Sequence, residues 1–435
     1  EVLIGHAYYL FIKTNQGPIS WILQLVVHKQ YRNHSIGKKL LLSVWGFSGD
    51  RAWGLATSNP LTVKTLESST FRDVSIPAMR KNLNLIKQIA AEVDYLDVNK
   101  IFITENQSIV NSNFFVDHRI IKKNMKLAYK KNWKLGELPE GHEWIAFTFQ
   151  GQELLKLNKK KIKNFISHSD LIIKEAYSRM KMPVHNWAKH HKSEVDFIIT
   201  ELNLKNLDIN ICDYGCGLGR HTFEFYSRGF KNIIGIDFSE SNIKTCVDNS
   251  MTTNINFVLG DCRKYKFTKK FDLILCLYDV IGSFPAINDN KKIIKNIFKS
   301  LNKGGYAVIT VMNMELTENL VKEKVDIYKN PKKLFTLKAS TNMQLTGDVF
   351  KPEYILIDNK TEIIYRKEQF IRDGYLAAEY IVRDKRYRLN EIERLIKRAG
   401  FKIVLSRYVK VGNWDMNLKK TNLDAKEILL IVQKK

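Results

Sequence analysis

The segment Asp213-Tyr214-Gly215-Cys216-Gly217-Leu218-Gly219 follows an apolar run and opens a helical one. Glycines at alternate positions let a backbone turn sharply and approach a ligand closely. Asp237 closes the next apolar run, where an acid accepts hydrogen bonds from both hydroxyls of a ribose. Asp261-Cys262 follows a third run, where a carboxylate and a backbone N–H read an adenine edge. Asp213 adds a negative charge beside the loop. That charge repels a pyrophosphate and attracts an α-ammonium. The pattern therefore asks for an adenosine joined to an ammonium, although a glycine turn after a strand also occurs with no ligand at all.

The cofactor with those two parts is S-adenosylmethionine. From about residue 175 to 435 the chain resembles the class I S-adenosylmethionine-dependent methyltransferases. Segment 213–219 resembles their first motif, and Asp237, followed by Phe238, their ribose-binding acid. Gly260-Asp261-Cys262 resembles the adenine-binding turn. Segment 271–278, with Leu277, resembles the fourth strand, and 301–306 the turn before the fifth. The resemblance implies a Rossmann-like seven-stranded sheet with its last strand antiparallel and the methyl donor at the carboxyl ends of the strands. It implies donor contacts from Asp213, Gly215, Gly217, Gly219, Asp237, Phe238, Asp261, Cys262 and Leu277. Tyr278 and Asp279 fall where the family's substrate-facing residues sit, as catalytic groups or as pocket lining. His221 is a catalytic candidate or a helix-start residue. Tyr177, His185 and Trp187 precede the core, in a region that often closes over the donor, and they serve equally well as packing. Segment 347–370 alternates like a hairpin turning at Asp358-Asn359-Lys360, in the place of a substrate-covering insertion. Tyr365, Arg366 and Arg372 on it reach an acidic or aromatic substrate, or remain a solvated flap.

The first half holds a second pattern. A strand-like run over 21–27 feeds Gln30-Tyr31-Arg32-Asn33-His34-Ser35-Ile36-Gly37-Lys38-Lys39 and then a helix. A helix start offers free N–H groups and a positive dipole end, which suits a pyrophosphate. The pattern resembles the acetyl-coenzyme A loop, R-x-x-G-x-G/A, of the GNAT acetyltransferases. Arg32, Gly37 and Lys38 match, and Ser35 stands where the first glycine is usual. The resemblance implies an acetyl-coenzyme A site at Arg32, Ser35, Gly37 and Lys38. The segment 52–60 resembles that family's fifth strand with the start of its fourth helix, and 143–149 its closing strand. The family's first strand and two helices, which carry much of the acceptor site, have no counterpart before residue 2. His28, Glu67 and a residue upstream of the sequence are all candidate bases.

These residues need elements to hold them. Strand patterns at 2–12 and 21–27 flank a turn at 15–18, and helices are expected at 35–47 and 60–68. Asn59 caps the second of these, with Pro60 at its first position. A single helix is expected over 75–96. Beyond residue 207 strands and helices alternate, which predicts a mostly parallel α/β sheet. The expected organisation is a mixed α/β GNAT-like domain over 1–151, lacking its first elements, then a basic linker over 152–170. A methyltransferase domain over 171–435 follows, with a β-rich insertion at about 334–371.

The chain of 435 residues has 70 Lys+Arg against 45 Asp+Glu, a formal net charge of +25. That surplus suits an acidic partner or reflects a lysine-rich composition. No run approaches the ~18–20 apolar residues of a membrane span, and no signal peptide opens the sequence. No spacing of the five cysteines suggests a metal site, and their odd number fits a reducing cytoplasm. The start at Glu1, on a strand-like run without Met, reads as a chain with residues missing upstream. The expected function is a cytoplasmic, bifunctional enzyme. It is an S-adenosylmethionine-dependent methyltransferase joined to an acetyl-coenzyme A-dependent N-acetyltransferase, acting on a small-molecule amine or hydroxyl. The alternative is an RNA-modifying enzyme that holds nucleic acid with the basic stretches of 119–163.

Overall fold

The computed structural model describes residues 3–45, 50–155, 186–251, 253–341, 348–372 and 375–435. The chain divides into two compact units, Glu1–Ser169 with Gln369–Ile381, and Asp170–Glu368 with Val382–Lys435. The linker expected over 152–170 falls mostly outside the described residues, as do Tyr177 and His185.

In the first unit, β1 (Gly5–Thr14) and β2 (Gly17–Val27) form the expected hairpin, with Thr14 opposite Gly17. α1 (Ile36–Trp45) crosses to β3 (Ala52–Thr57), which lies parallel to β2. α2 (Pro60–Thr70) starts as predicted, with Asn59 Oδ1 accepting the Leu61 N–H at 3.1 Å. The single helix expected over 75–96 is instead two, α3 (Ile76–Lys81) and α4 (Leu83–Ala91). Asn82 breaks it, because its side-chain amide donates to the Ala78 carbonyl at 2.8 Å and its backbone leaves the helical region. The unit continues through β4 (Ile101–Ile103), β5 (Ser108–Asn111), α5 (His118–Tyr129) and β6 (His142–Phe149). The strand order is β1-β2-β3-β6-β5-β4, and β6 runs antiparallel to both β3 and β5. Trp21, Trp144, Phe147, Ile86 and Ile89 lie in its core.

The second unit opens with α6 (His191–Glu201), β7 (Ile211–Tyr214), α7 (Arg220–Ser227), β8 (Ile233–Asp237), α8 (Glu240–Asn249) and β9 (Asn256–Leu259). β10 (Phe271–Cys276), α9 (Ile287–Ser300) and β11 (Leu301–Met312) complete the parallel part. An insertion follows, with α10 (Met314–Leu320), β12 (Lys324–Val325), α11 (Lys332–Thr336), β13 (Ala339–Ser340), β14 (Ile355–Asp358), β15 (Ile363–Arg372) and β16 (Tyr375–Lys385). β14 and β15 pair antiparallel across the predicted turn, with Ile357 opposite Ile364. α12 (Leu389–Arg398), β17 (Phe401–Lys410), β18 (Asn413–Leu418) and β19 (Glu427–Lys434) end the chain.

The large sheet has the order β18-β17-β19-β11-β10-β7-β8-β9. β7 through β11 are mutually parallel, and β19 enters antiparallel beside β11. The sheet has eight strands where seven were expected. The extra one, β18, folds back on β17 through Gly412, whose φ of +76° allows the reversal. Its alternation of Trp414, Met416 and Leu418 carried the strand signal. Strand order reverses about β7, so a crevice opens at the carboxyl ends of β7 and β10.

Candidate active site at the carboxyl edge of the large sheet

Gly215, Gly217 and Gly219 have φ of +74°, +56° and +74°, the left-handed region that glycine enters without penalty. The Gly215 and Cys216 amides donate to the Ile236 carbonyl at 2.7 and 3.1 Å, which draws the loop over β8. A β-carbon at position 215 would lie 2.4 Å from Val280 Cγ2. Asp237 is fixed by two amides, Gly217 N–H to Oδ2 at 3.0 Å and Ser239 N–H to Oδ1 at 2.8 Å. A carboxylate oxygen accepts more than one bond, which is the capacity a pair of ribose hydroxyls requires. Phe238 beside it is 38% exposed, and Leu277 is buried at the end of β10.

Asp213 is 3% exposed, and its Oδ2 accepts the Thr222 hydroxyl at 2.8 Å. Burial raises its pKa against the opposing pull of His221, Thr222 and Arg220. Asp261 is gripped by Arg263, with Nη2 at 2.7 Å and Nε at 3.0 and 3.1 Å. Burial works to raise its pKa, but the Arg263 bonds outweigh it and hold the carboxyl below its ordinary value. The Cys262 side chain is buried below the turn.

Tyr278 and Asp279 follow β10 with φ of +57° and +65°. Two consecutive non-glycine residues in this region are strained, a condition that clusters at functional sites. The Tyr278 hydroxyl donates to Glu194 and its ring stacks under Arg220 at 4.0 Å. Arg220 also lies 4.6 Å from the Trp187 ring and donates to the Trp187 carbonyl. His221 Nε2 sits 2.7 Å from Glu194 Oε2. Burial favours the neutral form of Glu194, but His221, Tyr278 and Arg220 outweigh it and lower its pKa. Tyr278 is held as an un-ionised phenol, because burial and the Glu194 and Glu427 charges push its pKa well up. His221 and Tyr278, both sequence candidates, thus meet on Glu194, a single acid on α6 with no motif to mark it.

Arg366 does not face an open pocket. It is 2% exposed and bonded to Glu368 at 2.6 Å and Asp384 at 3.0 Å. Asp384 also binds Arg386, whose other nitrogens donate to Thr317 and the Val349 carbonyl. Tyr365 is buried, and burial raises its pKa. The alternation of the insertion was legible, but not that its charges turn inward. Among the described residues no group of three or more His, Cys, Asp or Glu is arranged to hold a metal, and no helix is long and apolar enough to cross a membrane.

A family model described as a methyltransferase domain matches residues 205–343. The second unit carries a class I S-adenosylmethionine-dependent methyltransferase domain. The methyltransferase domain is similar to the carboxy-S-adenosyl-L-methionine synthase of Shewanella sediminis, 30% identical over 158 residues, 34% of this chain and 63% of that one. It is similar to the malonyl-[acyl-carrier protein] O-methyltransferase of Bacillus anthracis, 27% identical over 171 residues, 36% of this chain and 62% of that one. The tRNA U34 carboxymethyltransferase of Campylobacter fetus is 30% identical over 147 residues, 32% of this chain and 50% of that one. The chain thus spans less than two thirds of each of these relatives. Among solved structures, an S-adenosylmethionine-dependent methyltransferase from Clostridium acetobutylicum aligns with a TM-score of 0.40 at 17% identity, covering 63% of this chain and 99% of that one.

In the first unit, Ser35 has a φ of +59°, in the left-handed region that favours glycine. Arg32 Nε donates to the Val27 carbonyl at 3.1 Å. Gly37 has only ordinary contacts to Leu25, Val27 and Thr65 around a would-be β-carbon. The Lys38 ammonium lies 5.3 Å from the centre of the Phe71 ring. β2 and β3 pair only from Ile19–Ala52 to Ile22–Leu55, after which their registered pairing stops while both strands continue. Glu67 pairs with Lys64 at 2.8 Å and accepts the Val74 amide at 3.0 Å, and His28 is exposed. Glu143 on β6, which the sequence did not mark, has its pKa raised by burial.

Proposed function

We propose that the chain transfers a methyl group from S-adenosylmethionine to a small-molecule amine or hydroxyl, and that its first unit is an acetyl-coenzyme A-dependent N-acetyltransferase. The methyl-transfer reading rests on Asp237, held by the Gly217 and Ser239 amides at the end of β8. When bound, S-adenosylmethionine supplies a methyl group on a sulfonium, an already activated leaving group. The glycine loop would lie against the donor, with Asp237 holding its ribose and the Asp261-Cys262 turn its adenine. Tyr278, anchored through Glu194 and Thr310, would present a rigid wall to the donor; its N–H donates to Thr310 Oγ1 at 2.7 Å. Such alignment, and the exclusion of water, is most of what an in-line transfer asks of a protein.

Asp237→Ala should abolish S-adenosylmethionine binding in calorimetry, and unchanged binding would sink the assignment. For the first unit, support comes from the left-handed Ser35, the helix start that follows it and the parting of β2 from β3. Acetyl-coenzyme A binding by the whole chain is the deciding measurement.

One observation favours a nucleic-acid acceptor. α5 buries Ile121, Met125 and Ala128 and turns Lys122, Lys123 and Lys126 to solvent. The basic residues at 156–163 lie outside the described set. This reading requires retention on heparin that weakens steeply with salt; a chain that passes through heparin at low salt does not use nucleic acid in this way.

A further inference from the structure

Three polar atoms at the carboxyl end of β11 have no hydrogen-bond partner among the described residues: Asp279 Oδ1, Glu427 Oε2 and Tyr387 Oη. They come from three different elements that converge there. Glu427 begins β19 opposite Met312, Tyr387 donates its N–H to the Met312 carbonyl at 3.0 Å, and Tyr278, next to Asp279, is tied to Thr310. Glu427 is 6% exposed and Tyr387 fully buried. Buried polar atoms are rarely left unpaired, and an unpaired carboxylate is costly. Two carboxyl oxygens and a hydroxyl in one neighbourhood therefore call for a ligand that donates.

We propose that Asp279 and Glu427, with Tyr387, form a cradle for the ammonium of an amine acceptor, so that the methyltransferase domain is an N-methyltransferase of a cationic amine. This rests on the methyl-transfer reading above and narrows its acceptor from amine or hydroxyl to amine. The charges around the cradle agree. Asp279 faces Asp384, Arg386, Arg366 and Glu427, and Glu427 faces Glu194 and Arg220. Both insertion guanidiniums are bonded to other acids, Arg366 to Glu368 and Asp384, Arg386 to Asp384. The carboxylates outnumber the guanidiniums, which favours a cation and repels a carboxylate acceptor. The backbone is shaped for the same end. Asp279 sits in a left-handed conformation, and a β-carbon on Gly282 would fall 2.1 Å from Asp279 Oδ1.

The chemistry balances. The ammonium gives one proton to a cradle carboxylate and becomes the neutral amine. The amine lone pair then forms the N–C bond as the methyl–sulfur bond breaks, and the sulfonium leaves as an uncharged thioether. The methylated ammonium and the protonated carboxyl finally release a proton to solvent. Burial first, then neighbouring acids, raise the affinity of Asp279 and Glu427 for that proton.

The test uses the full chain saturated with S-adenosylhomocysteine at pH 8.5, and three probes that share a ring and differ in head group: benzylammonium, benzyl alcohol and benzoate. Benzylammonium should raise the unfolding midpoint and bind in calorimetry, whereas the alcohol and the acid should not. Asp279→Asn and Glu427→Gln should each weaken benzylammonium about tenfold or more while keeping S-adenosylhomocysteine affinity. Both changes keep the size and shape of the side chain, and Asn tolerates the left-handed backbone, so neither should prevent folding. An equal or absent response to benzylammonium, a preference for benzoate or the alcohol, or variants that bind benzylammonium like the parent would overturn the proposal. Loss of S-adenosylhomocysteine binding by the unsubstituted chain would instead remove the methyl-transfer reading beneath it.

Discussion

Single residues decide whether the donor loop can exist. Gly215 carries both a left-handed φ and a close approach to Val280. Gly215→Ala should destabilise the chain by about 2–4 kcal/mol, from the backbone and the clash together. Urea unfolding checks this, and Val280→Ala in the same chain should recover the clash but not the backbone cost. Glu427 decides a pH dependence. Burial, then the Glu194 charge, pushes its pKa from 4.5 to about 8. Between those values the folded state keeps a proton that the unfolded state has lost, so this group makes stability fall as pH rises. Glu427→Gln should remove that fall, and the variant should gain on its parent from pH 5 to 8 in thermal unfolding. A constant difference across that range would contradict the assignment.

At the scale of elements, local signals succeeded where one side chain controls a terminus. Asn59 accepts the Leu61 amide and Pro60 takes the first position of α2. Asn59→Ala should cost about 1 kcal/mol in chemical denaturation. Local signals failed where a side chain competes with the backbone. Asn82 lies inside a helical periodicity, and its bond to the Ala78 carbonyl splits the expected helix into α3 and α4. The short strand β5 was passed over because four residues give little room for a period to show, and β18 was passed over although its alternation was there to read.

For the whole molecule, two units with separate cores and separate expected ligands imply separable responses. S-adenosylhomocysteine at 100 times its dissociation constant should stabilise the second unit by ~2.7 kcal/mol. Acetyl-coenzyme A should do the same for the first. Scanning calorimetry with each ligand alone should move one unfolding transition and leave the other nearly in place. A joint shift with either ligand would show that the units unfold as one.

The sequence by itself determined the proposed donor site. Asp213, Gly215, Gly217, Gly219 and Asp237 lie within one strand–loop–helix–strand stretch, so their relation is set by local geometry and could be read from order and spacing. It also determined the strand–helix alternation, because each buried strand must be apolar along its own length; the antiparallel close came from the family resemblance alone. Only the tertiary structure decided what faces the proposed acceptor. Asp279, Glu427 and Tyr387 are far apart in sequence and meet because β10, β11 and β19 are neighbours in the sheet. The same holds for Glu194 under His221 and Tyr278, and for Arg366, which the sequence turned toward substrate and the fold turned inward onto Asp384. A charged side chain reads the same in sequence whether it meets water or another charge. Which one it meets is fixed by the packing of distant strands.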